Sequence, residues 1–163
     1  PRQNCSVARL AGKRKGDEVM QIPVKKLRPG AMLPTFGTQE AAGADLYACL
    51  EAPIVIAPGK TAFVPTGLAM ELPRGYVGLV YARSGLACKR DLAPANKVGV
   101  IDSDYRGEFM IALHNHGEQP QTVSQGERIA QLVVTPVLMP TYVETDSLSA
   151  TQRGEGGFGS TGK

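Results

Sequence analysis

A carboxylate and a phenol stand close together in the middle of the chain, within the stretch that runs from Gly99 to Glu108. The two residues before Asp102 are β-branched and favour a strand, and the residues after it are typical of a turn. A second apolar run, Phe109 to Leu113, follows at once, so we expect a hairpin with Asp102 and Tyr105 near its tip. A carboxylate in such a position can act as a general base that accepts a proton from an attacking water. The alternative is an ordinary turn, because Asp and Gly occur in turns for local backbone reasons.

Two further stretches carry residue types that bind phosphate. The stretch from Arg83 to Gly85 lies between a strand-like run and a short helix-like one, and N–H groups at a helix start beside an Arg and a hydroxyl form a phosphate cradle. The alternative is a Ser helix cap next to an incidental Arg. The stretch from Arg153 to Gly162 has five glycines in ten residues, which permits close backbone approach to a ligand, although a flexible linker has the same composition. Its side chains suited to a phosphate or a base are Arg153, Ser160, Thr161 and Phe158.

Three polar residues stand alone in their surroundings. Asn96 precedes a strand-like run, and its amide can both donate and accept, which suits the edge of a base; the alternative is a turn Asn. Gln131 interrupts an apolar run, and a lone amide there needs a hydrogen-bond partner. Asp45 precedes a strand-like run and, taken alone, reads as a turn residue.

Five blocks of the chain, taken in order, closely resemble the five motifs of the trimeric dUTP diphosphatase (dUTPase) family. The resemblance covers about residues 23–162, and it rests on the order and spacing of all five blocks, since each block alone is weak. The blocks are Ala42 to Ala48, Arg83 to Ala87, Gly99 to Glu108, Gly126 to Leu132 and Arg153 to Gly162.

The resemblance implies hydrolysis of dUTP to dUMP and pyrophosphate, which limits uracil incorporation into DNA and supplies dUMP. It implies that Asp102 activates the water that attacks the α-phosphorus, with Asp104 as the rival base. It implies that the ring of Tyr105 packs under the deoxyribose and leaves no room for a 2′-hydroxyl. It further implies a Mg²⁺ cofactor that Asp45 holds through water.

The resemblance also implies a homotrimer whose active sites lie between subunits and need no nucleic acid or membrane. One subunit would bring the Asp45, Arg83 and Gln131 blocks, a second the Asp102 block, and a third a closing C-terminal arm. The substrate-binding residues implied are Arg83, Ser84, Gly85, Asn96, Gly99, Val100, Ile101, Tyr105, Met110, Gln131, Arg153, Phe158, Gly159, Ser160 and Thr161.

Two other functions compete with this hypothesis. The related dCTP deaminases need a glutamate at the position that aligns with Ala112, so the sequence argues against deamination. A binding or signalling module on the same fold is the second alternative. All five blocks are intact, so nothing in the sequence indicates that activity was lost.

Short apolar runs separated by Gly and Pro turns fill the body of the chain. They predict an all-β, antiparallel sandwich of the jelly-roll (dUTPase-like β-clip) class, with one short helix from Gly85 to Asp91. Strands are expected near residues 53–56, 61–64, 68–72, 76–82, 98–101, 109–113 and 129–137. We divide the chain into a basic leader (1–21), a β domain (22–139) and a C-terminal arm (140–163).

Charge and cysteine content limit the remaining classes. Residues 1–28 hold eight of the 18 Lys and Arg residues and two of the 15 acidic ones, a net +6, so the rest of the chain carries −3. The basic leader is therefore either a nuclear-localisation signal or a solvated tail, and the overall charge is no nucleic-acid footprint. Three scattered cysteines without a paired spacing argue against zinc and for reduced thiols. No long apolar run or signal core is evident, so we expect an intracellular protein that is not secreted.

Overall fold

The fold is built almost wholly from antiparallel strands. The computed structural model describes residues 20–157. In that part of the chain the strands are β1 Val24–Lys26, β2 Thr35–Phe36, β3 Ala44–Tyr47, β4 Ile54–Ile56, β5 Thr61–Pro65, β6 Leu68–Met70, β7 Tyr76–Tyr81, β8 Leu92–Pro94, β9 Gly99–Ile101, β10 Met110–Asn115, β11 Gln121–Val123 and β12 Arg128–Pro136, and the helix is α1 Ser84–Arg90. The predicted all-β antiparallel class is confirmed. Among residues 20–157, no helix has the length and apolar character needed to cross a membrane.

Two main sheets and two ribbons make up the domain. The larger sheet has the order β2-β3-β12-β7-β9, and the smaller has the order β5-β10-β8. β1 pairs with β6, and β11 pairs with β4. The long strand β12 lies in the middle of the larger sheet and pairs with β3 on one side and with β7 on the other. Residues of β3 and β7 that pair with the same residue of β12 therefore flank that residue.

In β10, the core forms from one face of the strand. In β10, Ile111, Leu113 and Asn115 are buried, while the side chains between them point the other way, as a two-residue period requires. The buried amide of Asn115 donates to the carbonyls of Ile56 and Gln119 at 2.9 and 2.8 Å. Since such an amide would be destabilising without partners, these bonds fix the position of β10 against its neighbours.

The helix α1 is anchored at both ends. It starts directly after Arg83, which is still extended, and it ends at Asp91 in the left-handed region. Arg90 in the last turn donates to the Gln121 side chain at 3.0 Å and also binds Glu127. The predicted helix from Gly85 to Asp91 is therefore confirmed with a shift of one residue.

The predicted hairpin around residues 99–113 is wrong. β9 pairs with β7 in the larger sheet, whereas β10 pairs with β5 and β8 in the smaller one. The segment between Asp102 and Phe109 is thus a connection between two sheets. Turn residues between two apolar runs do not distinguish a hairpin from such a connection, because both need the same local backbone chemistry.

Candidate active site

A cavity of about 280 Å³ opens where the two sheets meet. β9 forms one wall, and the connection that follows it supplies Asp102 and Tyr105. Asn96, in the turn before β9, and Met110, at the start of β10, also line the cavity. The remaining lining is largely apolar and comprises Phe63, Val80, Pro94, Phe109, Ile111 and Ala112, with Glu108 at the connection. The structure therefore brings together all the predicted base and sugar residues in the middle of the chain.

At Gly99, β9 packs closely against Val80 of β7 because glycine has no side chain. A Cβ at Gly99 would lie 3.2 Å from the Cβ of Val80 and 3.5 Å from the amide nitrogen of Asn96. Within the described residues β9 has a strand neighbour on one side only, since it ends the order of the larger sheet. The other edge of this strand can offer backbone N–H and C=O groups to a ligand.

Asp102 occupies the boundary between two spaces. It lines the cavity and also a wider groove of about 890 Å³, whereas Asp104 lines the groove alone. The backbone N–H of Tyr105 donates to the Asp102 carbonyl at 3.2 Å, and Arg106 donates to the Ser103 carbonyl at 2.7 Å. These bonds close the turn and leave both Asp102 and Asp104 exposed to solvent.

The orientation of the Tyr105 ring is set by its neighbours. Its hydroxyl donates to the carbonyl oxygen of Glu108 at 3.0 Å, and its ring centroid lies 6.2 Å from that of Phe109. A Cβ at Gly107 would lie only 2.4 Å from the Tyr105 hydroxyl oxygen, so this ring position requires glycine there. The ring is 44% exposed and faces the cavity.

A second cavity, of about 220 Å³, lies at one end of β3, β12 and the β7–α1 junction. Gln131 of β12 aligns with Asp45 of β3 on one side and with Tyr81 of β7 on the other. Arg83 lies two residues after the end of β7, so its side chain reaches the same cavity. The cavity is lined by Gly37, Ala41, Gly43, Asp45, Arg83, Ser84, Gly85, Arg128 and Gln131.

Asp45 joins two guanidinium groups in this cavity. Arg83 Nε donates to Oδ1 at 2.7 Å, and Arg128 Nη1 donates to Oδ2 at 3.3 Å. Asp45 is buried, with 9% of its surface exposed, so its charge is shielded from water. It binds Arg83 more firmly than Arg128, whose side chain is half exposed. Two cations and one anion leave a net positive charge, which suits a phosphate group.

The amide of Gln131 is fixed in the same cavity. Its Nε2 donates to the Ala82 carbonyl at 2.8 Å, and a Cβ at Gly43 would lie 2.7 Å from its Oε1. Gly43 therefore gives the amide its space. The sequence analysis expected a hydrogen-bond partner for Gln131, and the Ala82 carbonyl of the same chain is one such partner.

The residues that sequence reasoning missed are Arg128, Phe63, Gly43 and Glu108. For Arg128 the available signal was its place in the fourth block, whereas its contact with Asp45 is evident only from the structure. Phe63 gave no signal, since an apolar residue in a strand is ordinarily a core residue, yet it is 68% exposed and lines the first cavity. The two cavities share no lining residue among those described.

The C-terminal candidates are only partly visible. Arg153 makes a local turn in which its Nε donates to the Gly156 carbonyl at 2.7 Å, and it lines neither cavity. Phe158, Gly159, Ser160 and Thr161 lie outside the described residues, as do residues 1–19 of the predicted leader.

The donor set near Asp45 limits how a metal could bind. No cluster of three or more His, Cys, Asp or Glu side chains fit for a metal occurs within residues 20–157. Each Asp45 oxygen accepts one arginine N–H, and a carboxylate oxygen can accept a second hydrogen bond. This fits Mg²⁺ that keeps its waters and arrives with a triphosphate, and it does not fit an ion held by protein ligands alone.

Sequence and structure comparisons agree on one family. The dUTPase family model matches residues 30–162. A deoxyuridine 5′-triphosphate nucleotidohydrolase from Syntrophotalea carbinolica is 47% identical over 145 residues, which cover 89% of this chain and 99% of the relative. The enzyme of the same name from Desulfitobacterium hafniense is 54% identical over 131 residues, covering 80% and 87%. The solved structure of the Staphylococcus bacteriophage 80alpha dUTPase with dUPNHPP has a TM-score of 0.81 at 30% identity and covers 88% of this chain and 99% of that one.

Family model, relatives and fold coincide with a cavity fit for a nucleoside and a positively charged cavity fit for phosphate. The chain therefore belongs to the dUTPase family, and its activity is the hydrolysis of dUTP.

Proposed function

We propose that the reaction is an in-line attack of water on the α-phosphorus of dUTP, with Asp102 as the general base. The observation that carries this assignment is the position of Asp102 between the nucleoside cavity and the wider groove. A base there lies next to the first phosphate of a nucleotide whose sugar and base fill the cavity. Asp104 lines only the groove and is therefore the poorer candidate.

The nucleoside is selected by the walls of the first cavity. Asn96 and the free edge of β9 supply hydrogen-bond donors and acceptors for the uracil ring, and Met110 supplies an apolar contact. Tyr105 presents its ring to the deoxyribose and excludes a 2′-hydroxyl by contact. Ala112 lines the same cavity where a deaminase would need a carboxylate, which argues against deamination.

The triphosphate is bound by the second cavity. Arg83 and Arg128 supply charge, and the backbone and hydroxyl of Ser84 and the backbone of Gly85 supply donors. Asp45 holds the two arginines and is the residue that would bind Mg²⁺ through water. When bound, Mg²⁺ offsets the charge that develops on the phosphate oxygens.

A complete site requires more than one copy of the chain. Since the two cavities share no lining residue, we propose a homotrimer in which a substrate spans the nucleoside cavity of one copy and the phosphate cavity of another. Residues 140–163 would be an arm that closes a neighbouring site, carrying Arg153 and Phe158. The exposure of Leu138 (91%) and Tyr142 (91%) supports a partner surface over the start of this arm.

Release of pyrophosphate from dUTP, UTP and dCTP tests the proposed site. The expected order places dUTP far above the other two, because the ring of Tyr105 rejects ribose and the cavity edge rejects cytosine. Equal turnover of dUTP and dCTP would contradict the proposed base reading. Equal turnover of dUTP and UTP would contradict the role of Tyr105.

A further inference from the structure

Glu108 lies at the end of the connection between the sheets and makes three contacts that tie this connection down. Its Oε1 accepts the backbone N–H of Gly67 at 2.7 Å, and its Oε2 pairs with Arg28. Its carbonyl oxygen accepts the hydroxyl of Tyr105. One residue therefore links the loop before β6, the segment after β1 and the aromatic ring that faces the nucleoside cavity.

The loop that receives the Glu108 carboxylate is itself rigid. Gly67 has φ of +69°, a conformation that favours glycine, and a Cβ there would lie 2.8 Å from the Cβ of Ala31. Thr66 next to it is fully buried and donates to the Phe109 carbonyl at 2.7 Å. The Phe109 N–H in turn donates to the Leu68 carbonyl at 2.8 Å. The carboxylate is thus fastened to a point that cannot easily move.

We propose that Glu108 is a positioning residue for sugar selection: its carboxylate fixes the backbone carbonyl on which the Tyr105 hydroxyl rests. This inference depends on the proposed role of Tyr105 against the deoxyribose. Tyr105 is 44% exposed, so packing alone holds its ring loosely, and the hydrogen bond to Glu108 defines where the ring stands. Within the described residues, loss of the carboxylate leaves the Glu108–Phe109 peptide group with only the Tyr105 hydroxyl and the bond from the Phe109 N–H to the Leu68 carbonyl. Residues 107 and 108 can then shift, and the ring can turn away from the sugar.

The contact with the Gly67 N–H holds the Glu108 carboxylate more strongly than the contact with Arg28 does. The Glu108 side chain is 17% exposed and the Arg28 side chain 42%, so water screens the ion pair, whereas the Gly67 N–H is partly buried and loses its partner if the carboxylate is removed. We therefore expect the length of the side chain at position 108 to affect sugar selection more than its charge does.

Three substitutions at Glu108 separate these effects. Glu108→Gln keeps the length and an amide oxygen for Gly67 but loses the charge. Glu108→Asp keeps the charge but withdraws the carboxylate by one methylene. Glu108→Ala removes both. The readout is the ratio of kcat/KM for UTP to that for dUTP, which a uniform loss of folded enzyme leaves unchanged.

The expected result is a ratio raised about tenfold by Glu108→Ala and by Glu108→Asp, and changed by less than about threefold by Glu108→Gln. Glu71→Gln is the matched control, because Glu71 pairs with Arg106 of the same connection at 3.4 Å in an exposed position, and its ratio should not change. If Glu108→Ala does not fold, the Asp and Gln variants still decide between reach and charge.

Tyr105→Ala separates this inference from the proposed function. If Tyr105→Ala raises the ratio and all Glu108 variants leave it unchanged, the role of Glu108 is overturned and that of Tyr105 stands. If Tyr105→Ala itself leaves the ratio unchanged, both are overturned. A larger effect for Gln than for Asp would also overturn the inference, since charge and not reach would then control the ring.

Discussion

Asp102 and Asp104 have the same side chain and differ only in what they face. Asp102 borders the nucleoside cavity, and Asp104 faces the groove alone. A general base must be within reach of the water that it activates, so the proposed mechanism gives this role to Asp102 and not to Asp104.

The substitution Asp102→Asn should therefore leave nucleotide binding largely intact and lower kcat by about 10²- to 10⁴-fold, the usual effect of losing a general base. Turnover by pyrophosphate release and binding by calorimetry with dUTP measure the two quantities separately. Asp104→Asn is the matched control and should lose much less activity. Near-normal turnover of the Asp102→Asn enzyme would rule out this residue as the base.

Gly107 controls the Tyr105 ring by leaving space for its hydroxyl. In Gly107→Ala, the new Cβ would lie 2.4 Å from that oxygen, so the exposed ring must turn away. Because an exposed ring can move without opening the core, stability should fall by less than about 1 kcal/mol, the range of a surface substitution. The kcat/KM for dUTP should nevertheless fall, and thermal unfolding with steady-state kinetics tests both. A large loss of stability with unchanged kinetics would contradict this account.

At the scale of elements, the phosphate cavity depends on the alignment of three strands. β12 places Gln131 beside Asp45 of β3 and beside Tyr81 of β7, and the chain after β7 brings Arg83 to the same end. Asp45 then holds both arginines in place. A slip of one residue in either pairing would turn these side chains to the opposite face.

Asp45→Asn should weaken this cavity in two ways. Losing charge-assisted hydrogen bonds to Arg83 and Arg128 should lower the free energy of unfolding by about 1–3 kcal/mol, measured in urea. It should also raise KM for dUTP more than it lowers kcat, because the arginines bind phosphate in the ground state as well in the proposed mechanism.

Arg128→Gln should cost less stability than Arg83→Gln, since Arg128 makes the longer contact and its side chain is 52% exposed, against 24% for Arg83. The reverse order would show that Arg83 is not the main partner of Asp45.

Sequence patterns predicted the apolar strands well and the polar or short ones poorly. β4, β5, β6, β7, β9, β10 and β12 lie where apolar runs predicted them, and all of these except β9 contribute buried residues to the core. β2 has two residues, both exposed, so no burial pattern could indicate it. β8, Leu92–Pro94, follows the helix directly and contains a proline, which local rules read as a loop.

The site residues were likewise predicted in part, whereas the contacts between them were not. The resemblance of the five blocks to the dUTPase motifs identified Asp102, Tyr105, Arg83 and Gln131, and the structure places each of them at a cavity. Sequence did not reveal that Asp45 and Arg128 form a pair, nor that Glu108 reaches Gly67, because those contacts join residues 83 and 41 positions apart. Such long-range contacts follow from the sheet pairings, which single-sequence patterns do not define.

For the whole molecule, the proposed homotrimer makes assembly a condition of activity, because each substrate would span the two cavities of different copies. Mixing two inactive variants tests this: a chain lacking residues 152–163 and a full chain with Asp102→Asn. Shared sites predict that mixed trimers regain part of the activity, since one site can combine an intact Asp102 from one chain with an intact arm from another. Native mass spectrometry confirms that subunits have exchanged, and each variant mixed with itself is the control. If exchange occurs and no activity returns, the arm does not act on a neighbouring copy.

The free edge of β9 has a consequence for how base preference can change over evolution. Backbone N–H and C=O groups are the same for every residue except proline, which lacks the N–H. A strand edge that contacts the base therefore keeps its pattern of donors and acceptors through substitutions at residues 99–101 that introduce no proline and leave the backbone in place. Cytosine presents the opposite pattern to uracil at the position that distinguishes them. In the proposed binding mode, this edge therefore opposes a drift toward dCTP through side-chain changes at residues 99–101. A point mutation that changes base preference is expected at the Asn96 side chain, which shares the reading of the base with the edge.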